Sequence, residues 1–282
     1  MKPMRSVKFL LAAGAASLLS STAVLAADMA IAPPPQMYAP PPVEDFGGWY
    51  LRGDIGMTNS NLKKLHNNLY DGLPATARLE QLGHGFSGGM SYGIGVGYQF
   101  NNWFRADITG EYRSKVNFSG SDFITYTPGG FQSDVYYGGY KSWVGLVNAY
   151  VDLGTWWCVT PFIGAGVGAA NITTTGIQDI GLANTSSGSY FAEGASKTNL
   201  AWAAHAGLAY KVNNAFTVEL AYRYLNMGSA VHGYGRSFDG TNAGPSSFQY
   251  RDITSQDIRL GVRWNLDAAP AYAPPPPLIR KG

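Results

Sequence analysis

The sequence predicts an all-β chain: an eight-stranded antiparallel up-and-down transmembrane β-barrel with four long loops on one rim. Three observations carry this. Apolar and polar residues alternate over windows of about ten residues, full charges keep to one of the two faces, and connections alternate between short and long. The clearest window is the last, residues 256–266. Ile258, Leu260, Val262, Trp264 and Leu266 are apolar, while Asp257, Arg259, Gly261, Arg263 and Asn265 are polar or small. A period of two makes this a strand with unlike faces. The pattern recurs along the chain with charges on the polar face, so the apolar face is read toward lipid and the charges toward a lumen.

Composition agrees. Charged residues make up 13% of the chain and aromatics the same 13%, with 36 glycines. That is too little charge for an ordinary soluble domain and suits a lipid-facing belt. A net charge of +2 leaves no nucleic-acid footprint. No apolar run after the N-terminal region reaches the roughly 20 residues of a membrane helix.

Lys2, Arg5 and Lys8 precede the apolar run 9–19, and Val24-Leu25-Ala26 follows with small residues at the positions a signal peptidase reads. Residues 1–26 therefore read as a signal peptide cleaved after Ala26, with Ala27 the alternative. The lone Cys158, beside Trp156 and Trp157, has no internal disulfide partner. Residues 27–47 carry APPP and YAPPP runs, and the phrase returns in the tail 267–282. Such runs adopt polyproline II, and about twenty residues reach roughly 60 Å. They flank a barrel over 48–266.

The predicted strands follow in order. The first, 48–58, puts Trp49, Leu51, Ile55 and Met57 out and Tyr50, Arg52 and Asp54 in. The second, 91–100, ends at the short turn Asn101-Asn102. The third, 103–113, puts Arg105, Asp107, Glu111 and Arg113 in, and the fourth, 142–153, Asn148 and Asp152. The fifth, 160–170, opens on Pro161, a position where a missing donor is tolerated. The sixth, 200–212, puts His205 and Lys211 in. Asn213-Asn214 is the third tight turn, a residue pair suited to positive backbone angles, before the seventh, 215–225, with Thr217, Glu219 and Arg223 in. The eighth, 256–266, closes the ring against the first.

The connections 101–102, 154–159 and 213–214 are short; 59–90, 114–141, 171–199 and 226–255 are long and read as loops. An even strand number puts both termini on the short-turn rim, expected in the periplasm. Trp49, Trp103, Trp156, Trp157, Phe216 and Trp264 fall near that rim as an interfacial girdle.

Eight strands leave an interior that side chains fill. Arg52, Arg105, Arg113, Arg223, Arg259 and Arg263 face Asp54, Asp107, Glu111, Asp152, Glu219 and Asp257, and are expected to form an ion-pair network that closes the lumen. The carboxylates are thereby counter-ions, and no catalytic set is predicted. Arg52-Gly53-Asp54 lies inside a strand, which argues against adhesion through that tripeptide. The glycine run 164–168 lacks the helix a dinucleotide fingerprint requires and is read as lumen space for arginines. His66, His84 and His232 fall in predicted loops and His205 in the lumen, without metal-site spacing. No metal and no cofactor is predicted.

The segments 48–57, 149–154 with 160–168, and the closing strand together resemble the small eight-stranded, porin-like outer-membrane barrels of alphaproteobacteria, related in architecture to the OmpA transmembrane domain. The resemblance covers about residues 46–266. It implies an envelope protein of structural role, sometimes a surface antigen or haem binder, and not an enzyme. Some members begin with Ala-Asp and are joined through that amine to peptidoglycan by an L,D-transpeptidase; Ala27-Asp28 fits that pattern. Such barrels usually end on an aromatic residue used in assembly. Here Trp264-Asn-Leu266 is followed by about sixteen residues, so either Trp264 serves the barrel machinery as an internal signal or assembly differs. Expected partners are outer-membrane lipid, lipopolysaccharide, peptidoglycan and that machinery. The alternatives are a loop-mediated binder of haem, host or phage, and a narrow small-solute channel.

Overall fold

The computed structural model describes residues 47–183 and 188–267. The predicted signal peptide, residues 27–46 and the tail from residue 268 lie outside them.

The elements are β1 (Gly48–His66), α1 (Asn68–Asp71), β2 (Ala77–Phe86), β3 (Gly88–Gln99), β4 (Phe104–Tyr126), β5 (Phe131–Asp152), β6 (Val159–Ala183), β7 (Ser189–Gly194), β8 (Ser196–Lys211), β9 (Phe216–Ser237), β10 (Gly244–Pro245) and β11 (Gln249–Asn265). Among the described residues no helix is long and apolar enough to cross a membrane. Antiparallel pairing runs β1–β3–β4–β5–β6–β8–β9–β11 and returns to β1, a closed ring of eight strands. The predicted closure is present: Leu51 pairs with Trp264 and Thr58 with Asp257. A ring has no unpaired edge, which is what backbone groups facing lipid require. Both ends of the ring, Gly48 and Asn265, lie on the short-turn rim.

The strands are longer than predicted, and the four long loops are largely strand. Residues 114–141 contain only a short turn between β4 and β5, whose pairing runs on to Thr125–Phe131. Beyond the ring's short strands, β2 pairs with β4, and β7 bridges β6 and β9. The reason lies in the alternation. In β4 the apolar residues Phe104, Ala106, Ile108, Tyr112, Val116, Phe118 and Ile124 all stand at even-numbered positions, on both sides of Ser114. Between Arg113 and Val116 the register shifts, and Ser114 and Lys115 both stand outside. A bulge inserts one residue and turns every later side chain to the other face. Below it Ile108 is exposed and Arg105 and Glu111 are buried; above it Val116 and Phe118 are buried and Asn117 and Ser119 exposed. The other strands change over at the same height. In β9 buried Arg223 gives way to buried Leu225 and Met227, and in β11 buried Asp257 to buried Ile253 and Tyr250. The apolar side thus faces outward in one half of the ring and inward in the other. This is the order expected where the surroundings change from lipid to water.

Three further expectations are corrected. The Asn213-Asn214 turn does not use positive backbone angles, and neither does Asn101-Asn102. Instead Asn101 Oδ1 accepts from the N–H of Trp103 and Phe104, and Asn213 Oδ1 from the N–H of Ala215 and Phe216. The positive φ values fall at Trp157 (49°) and Cys158 (68°) in the remaining short turn. Lys211 is exposed at the rim, not in the lumen. His66 and His232 are buried in β1 and β9 and His84 lies in β2, none of them in a loop.

Candidate functional site: a closed lumen

Inward-facing positions of the eight strands carry the ionic residues into one connected network. Near the short-turn rim, Arg105 is fully buried. Its Nε lies 3.2 Å from Asp152 Oδ1 and its Nη2 3.2 Å from Glu219 Oε1. Glu219 also meets Arg263 at 3.4 Å and Arg52 at 3.6 Å. Arg52 donates to Asp107 and Asp54, each at 2.7 Å. Asp54 passes to Arg259 at 3.0 Å, and Arg259 to Glu111 at 3.2 Å. Glu111 Oε1 accepts from Arg223 at 2.7 Å and Arg113 at 3.0 Å, and both arginines close on Asp257 Oδ2, at 2.6 and 2.8 Å. Six guanidinium groups and six carboxylates therefore meet without a break and without net charge. Removing both signs from water is tolerated only under such pairing.

Neutral side chains complete it. The Arg105 guanidinium lies 4.3 Å from the Tyr150 ring centroid and 4.7 Å from that of Phe162, a cation–π seat. Tyr150 Oη accepts from Arg52 at 3.1 Å, and Ser255 Oγ from Arg113 at 2.6 Å. Asn148 Nδ2 donates to Asp107 at 2.7 Å, and its Oδ1 meets His205 Nε2 at 3.2 Å. Tyr150 and Ser255 were not singled out in the sequence, although strand parity places both inward. The glycines of β6 make room for these groups rather than for arginine. A Cβ at Gly164 would strike the Tyr150 ring, and one at Gly166 the Asn148 side chain.

Above the ionic layer the interior is apolar, which the sequence reading did not anticipate. Leu62, Val116, Phe118, Ile172, Leu225, Met227 and Ile253 are buried together. Phe86 of β2 packs edge-on against Tyr140 and Tyr250, with centroids 4.9 and 5.4 Å apart. Two stacked plugs of opposite character thus fill the ring.

Beyond this core, outside the membrane-facing half, Asp122, Asp134 and Asp179 gather. Asp122 Oδ2 accepts from Tyr136 at 2.6 Å and Tyr70 at 2.7 Å. Burial, then the Asp134 and Asp122 carboxyls, push Asp179 up to about 8. Its folded-state value lies above its unfolded one. Between about pH 4 and pH 8 the folded chain keeps a proton that the unfolded chain has released, so stability falls as pH rises through that window. Asp179→Asn is expected to raise stability at pH 8 by about 1–2 kcal/mol and to flatten the dependence. Urea midpoints in detergent at pH 5 and pH 8 check this; a slope unchanged in the variant contradicts it.

The rim aromatics are exposed: Trp49, Trp103, Trp156, Trp157, Phe216 and Trp264. Phe216 and Trp264 stack with centroids 6.0 Å apart. Ala27 and Asp28 lie outside the described residues. Among the described residues no cluster of His, Cys, Asp or Glu has the arrangement of a metal site.

A closed antiparallel ring with an apolar outer band and an ionic lumen defines an outer-membrane β-barrel. Residues 15–265 match the family described as outer membrane protein beta-barrel domain, and the chain belongs to that family. It is 29% identical over 272 residues to an uncharacterized protein of Brucella suis, covering 88% of this chain and 94% of that one. It is 27% identical over 195 residues to the outer membrane protein PagN of Salmonella typhimurium, covering 64% of this chain and 75% of PagN. Among solved structures, the outer membrane protein OprG of Pseudomonas aeruginosa matches at 15% identity and a TM-score of 0.41, covering 78% of this chain and 96% of OprG.

Proposed function

We propose that the protein is a non-conducting structural barrel of the outer membrane, with the short-turn rim in the periplasm and the strand extensions outside the cell. The observation that supports it most is the filled lumen: twelve ionic side chains paired across the ring beneath an apolar plug. Every carboxylate of that lumen network is held by arginine, so none of them is free to act as a general base, and the reading includes no catalytic step. Purified protein in planar bilayers is expected to give no steady nanosiemens-scale steps. Such steps would overturn the closed lumen.

The reading extends to the termini. Residues 27–47 and 267–282 act as periplasmic arms, and Ala27, followed by Asp28, bonds through its amine to peptidoglycan. Outer-membrane lipid, lipopolysaccharide and the barrel-assembly machinery are the remaining partners. Sacculi digested with lysozyme are expected to release the barrel with a muropeptide on Ala27. A free amine there removes the tether and leaves the structural barrel standing.

A further inference from the structure

The outer face of β4 and β5 departs from the rest of the lipid-facing band. Gly53, Gly110 and Gly145 all point outward, at matching heights across β1, β3, β4 and β5 through Ile94. A Cβ at any of the three would meet nothing within 4 Å. Gly53 and Gly110 line an apolar groove of about 610 Å³, bounded by Ile94, Leu260 and Val262 and roofed by Tyr92, Tyr112 and Trp143. The Tyr112 and Trp143 rings lie 5.0 Å apart.

One step higher, the β4 bulge sets Lys115 beside Lys141, both exposed, because two residues of β4 there oppose one of β5. The step is about 7 Å. Among the described residues neither lysine has a carboxylate partner, whereas Lys63 pairs with Asp252 and Arg78 with Glu80. Lys115 also borders a second hollow of about 340 Å³ whose lining includes Tyr137, Thr175 and Gln178 and no acidic residue. Glu193 lines the adjoining hollow with Arg236.

We propose that this face holds one phosphorylated lipid, its phosphate on Lys115 and Lys141 and an acyl chain in the glycine groove beneath the aromatic pair. The inference rests on the outward placement of the strand extensions given above. The height is the decisive feature. The lysines stand where the outer surface changes from apolar to polar, which is where a headgroup lies, and the groove opens on the side where its chains lie. Two unpaired cations one strand apart match a phosphate monoester. A hollow roomy enough for an alkyl chain, with glycines in its lining, lets that chain pack against backbone.

The test is native mass spectrometry of the full chain in detergent, titrated with bisphosphorylated lipid A, its dephosphorylated form, and phosphatidylethanolamine. The unsubstituted protein is expected to retain bisphosphorylated lipid A about tenfold better than the dephosphorylated form. Lys115→Gln with Lys141→Gln removes that preference. Gly110→Leu fills the groove without strain, and weakens retention of lipid A with the lysines intact. Equal retention of the two lipid A forms by the unsubstituted protein overturns the proposal, and so does unchanged retention in either variant. Because the readout is in detergent, a reversed orientation in the membrane would leave it intact and would show separately by surface proteolysis of whole cells.

Discussion

Asp257→Ala is expected to destabilise the barrel by about 3–5 kcal/mol, the largest effect of any single lumen substitution proposed. Asp257 is fully buried. Its Oδ1 accepts from Arg113 Nη2 at 3.0 Å and Ser255 Oγ at 2.5 Å; its Oδ2 accepts from Arg113 Nη1 at 2.8 Å and Arg223 Nη2 at 2.6 Å. Truncation leaves Arg113 and Arg223 buried with Glu111 as their shared carboxylate, which already serves Arg259. One positive charge becomes uncompensated in a lumen that water does not freely enter. The penalty is therefore that of an unpaired buried charge, not of one lost hydrogen bond. Combining Asp257→Ala with Arg113→Ala restores charge balance and should recover part of the loss, which a double-mutant cycle reads as coupling. Urea titration in detergent micelles, followed by the heat-modifiable gel mobility of the folded barrel, gives both numbers. A loss below about 1 kcal/mol would place these residues in contact with solvent and refute a closed lumen.

The membrane-facing half of this architecture was readable because lipid imposes a simple rule. Outside must be apolar, and the leftover polar positions must pair with one another. Strand 256–266 shows both halves of the rule in eleven residues, and its partner Gly48–His66 begins where the pattern requires. The ionic residues could be put on one face by parity alone. Their partners could not, because a pair such as Arg113 and Asp257 lies 144 positions apart and its meeting depends on the register of three intervening pairings.

The outer half was misread for a physical reason. Above the bulge at Ser114–Lys115 the even-numbered apolar residues of β4 continue, but they now line a core. A rule that equates apolar with outward stops there and reports a loop. The residues beyond, rich in serine, glycine and tyrosine, reinforced that error, since Tyr136 and Tyr250 are buried ring anchors and not loop filler. A search for alternation without a preset face would have found the extensions. The acidic trio was hidden for a related reason. Asp122 and Asp134 sit opposite each other only because β4 and β5 remain paired far above the membrane.

The second prediction separates lipid from water directly. Ile108→Arg is expected to destabilise the barrel in a bilayer by about 2–4 kcal/mol, while Ser119→Arg, on the outward face of the same strand, is expected to change stability by less than about 0.5 kcal/mol. Both positions are exposed, Ile108 at 60% of its surface. Were the whole outer surface in water, the two substitutions would be alike, and arginine for an exposed isoleucine would be harmless. In a membrane they differ by position alone. Ile108 pairs with Val96 on one side and Val147 on the other, midway between the rim at Trp103 and the upper aromatic pair Tyr112–Trp143. An arginine there must reach past apolar neighbours in either direction to find polar surroundings. Ser119 lies above the bulge, where the outward residues are Asn117 and Ser121 and the apolar side has turned inward. Stability of the two variants in phospholipid vesicles, by urea titration and tryptophan fluorescence, measures the difference. Equal costs at the two sites would mean that the reversal of facing at Ser114–Lys115 does not mark the edge of the bilayer, and the assignment of the lower half as the spanning segment would fall with it.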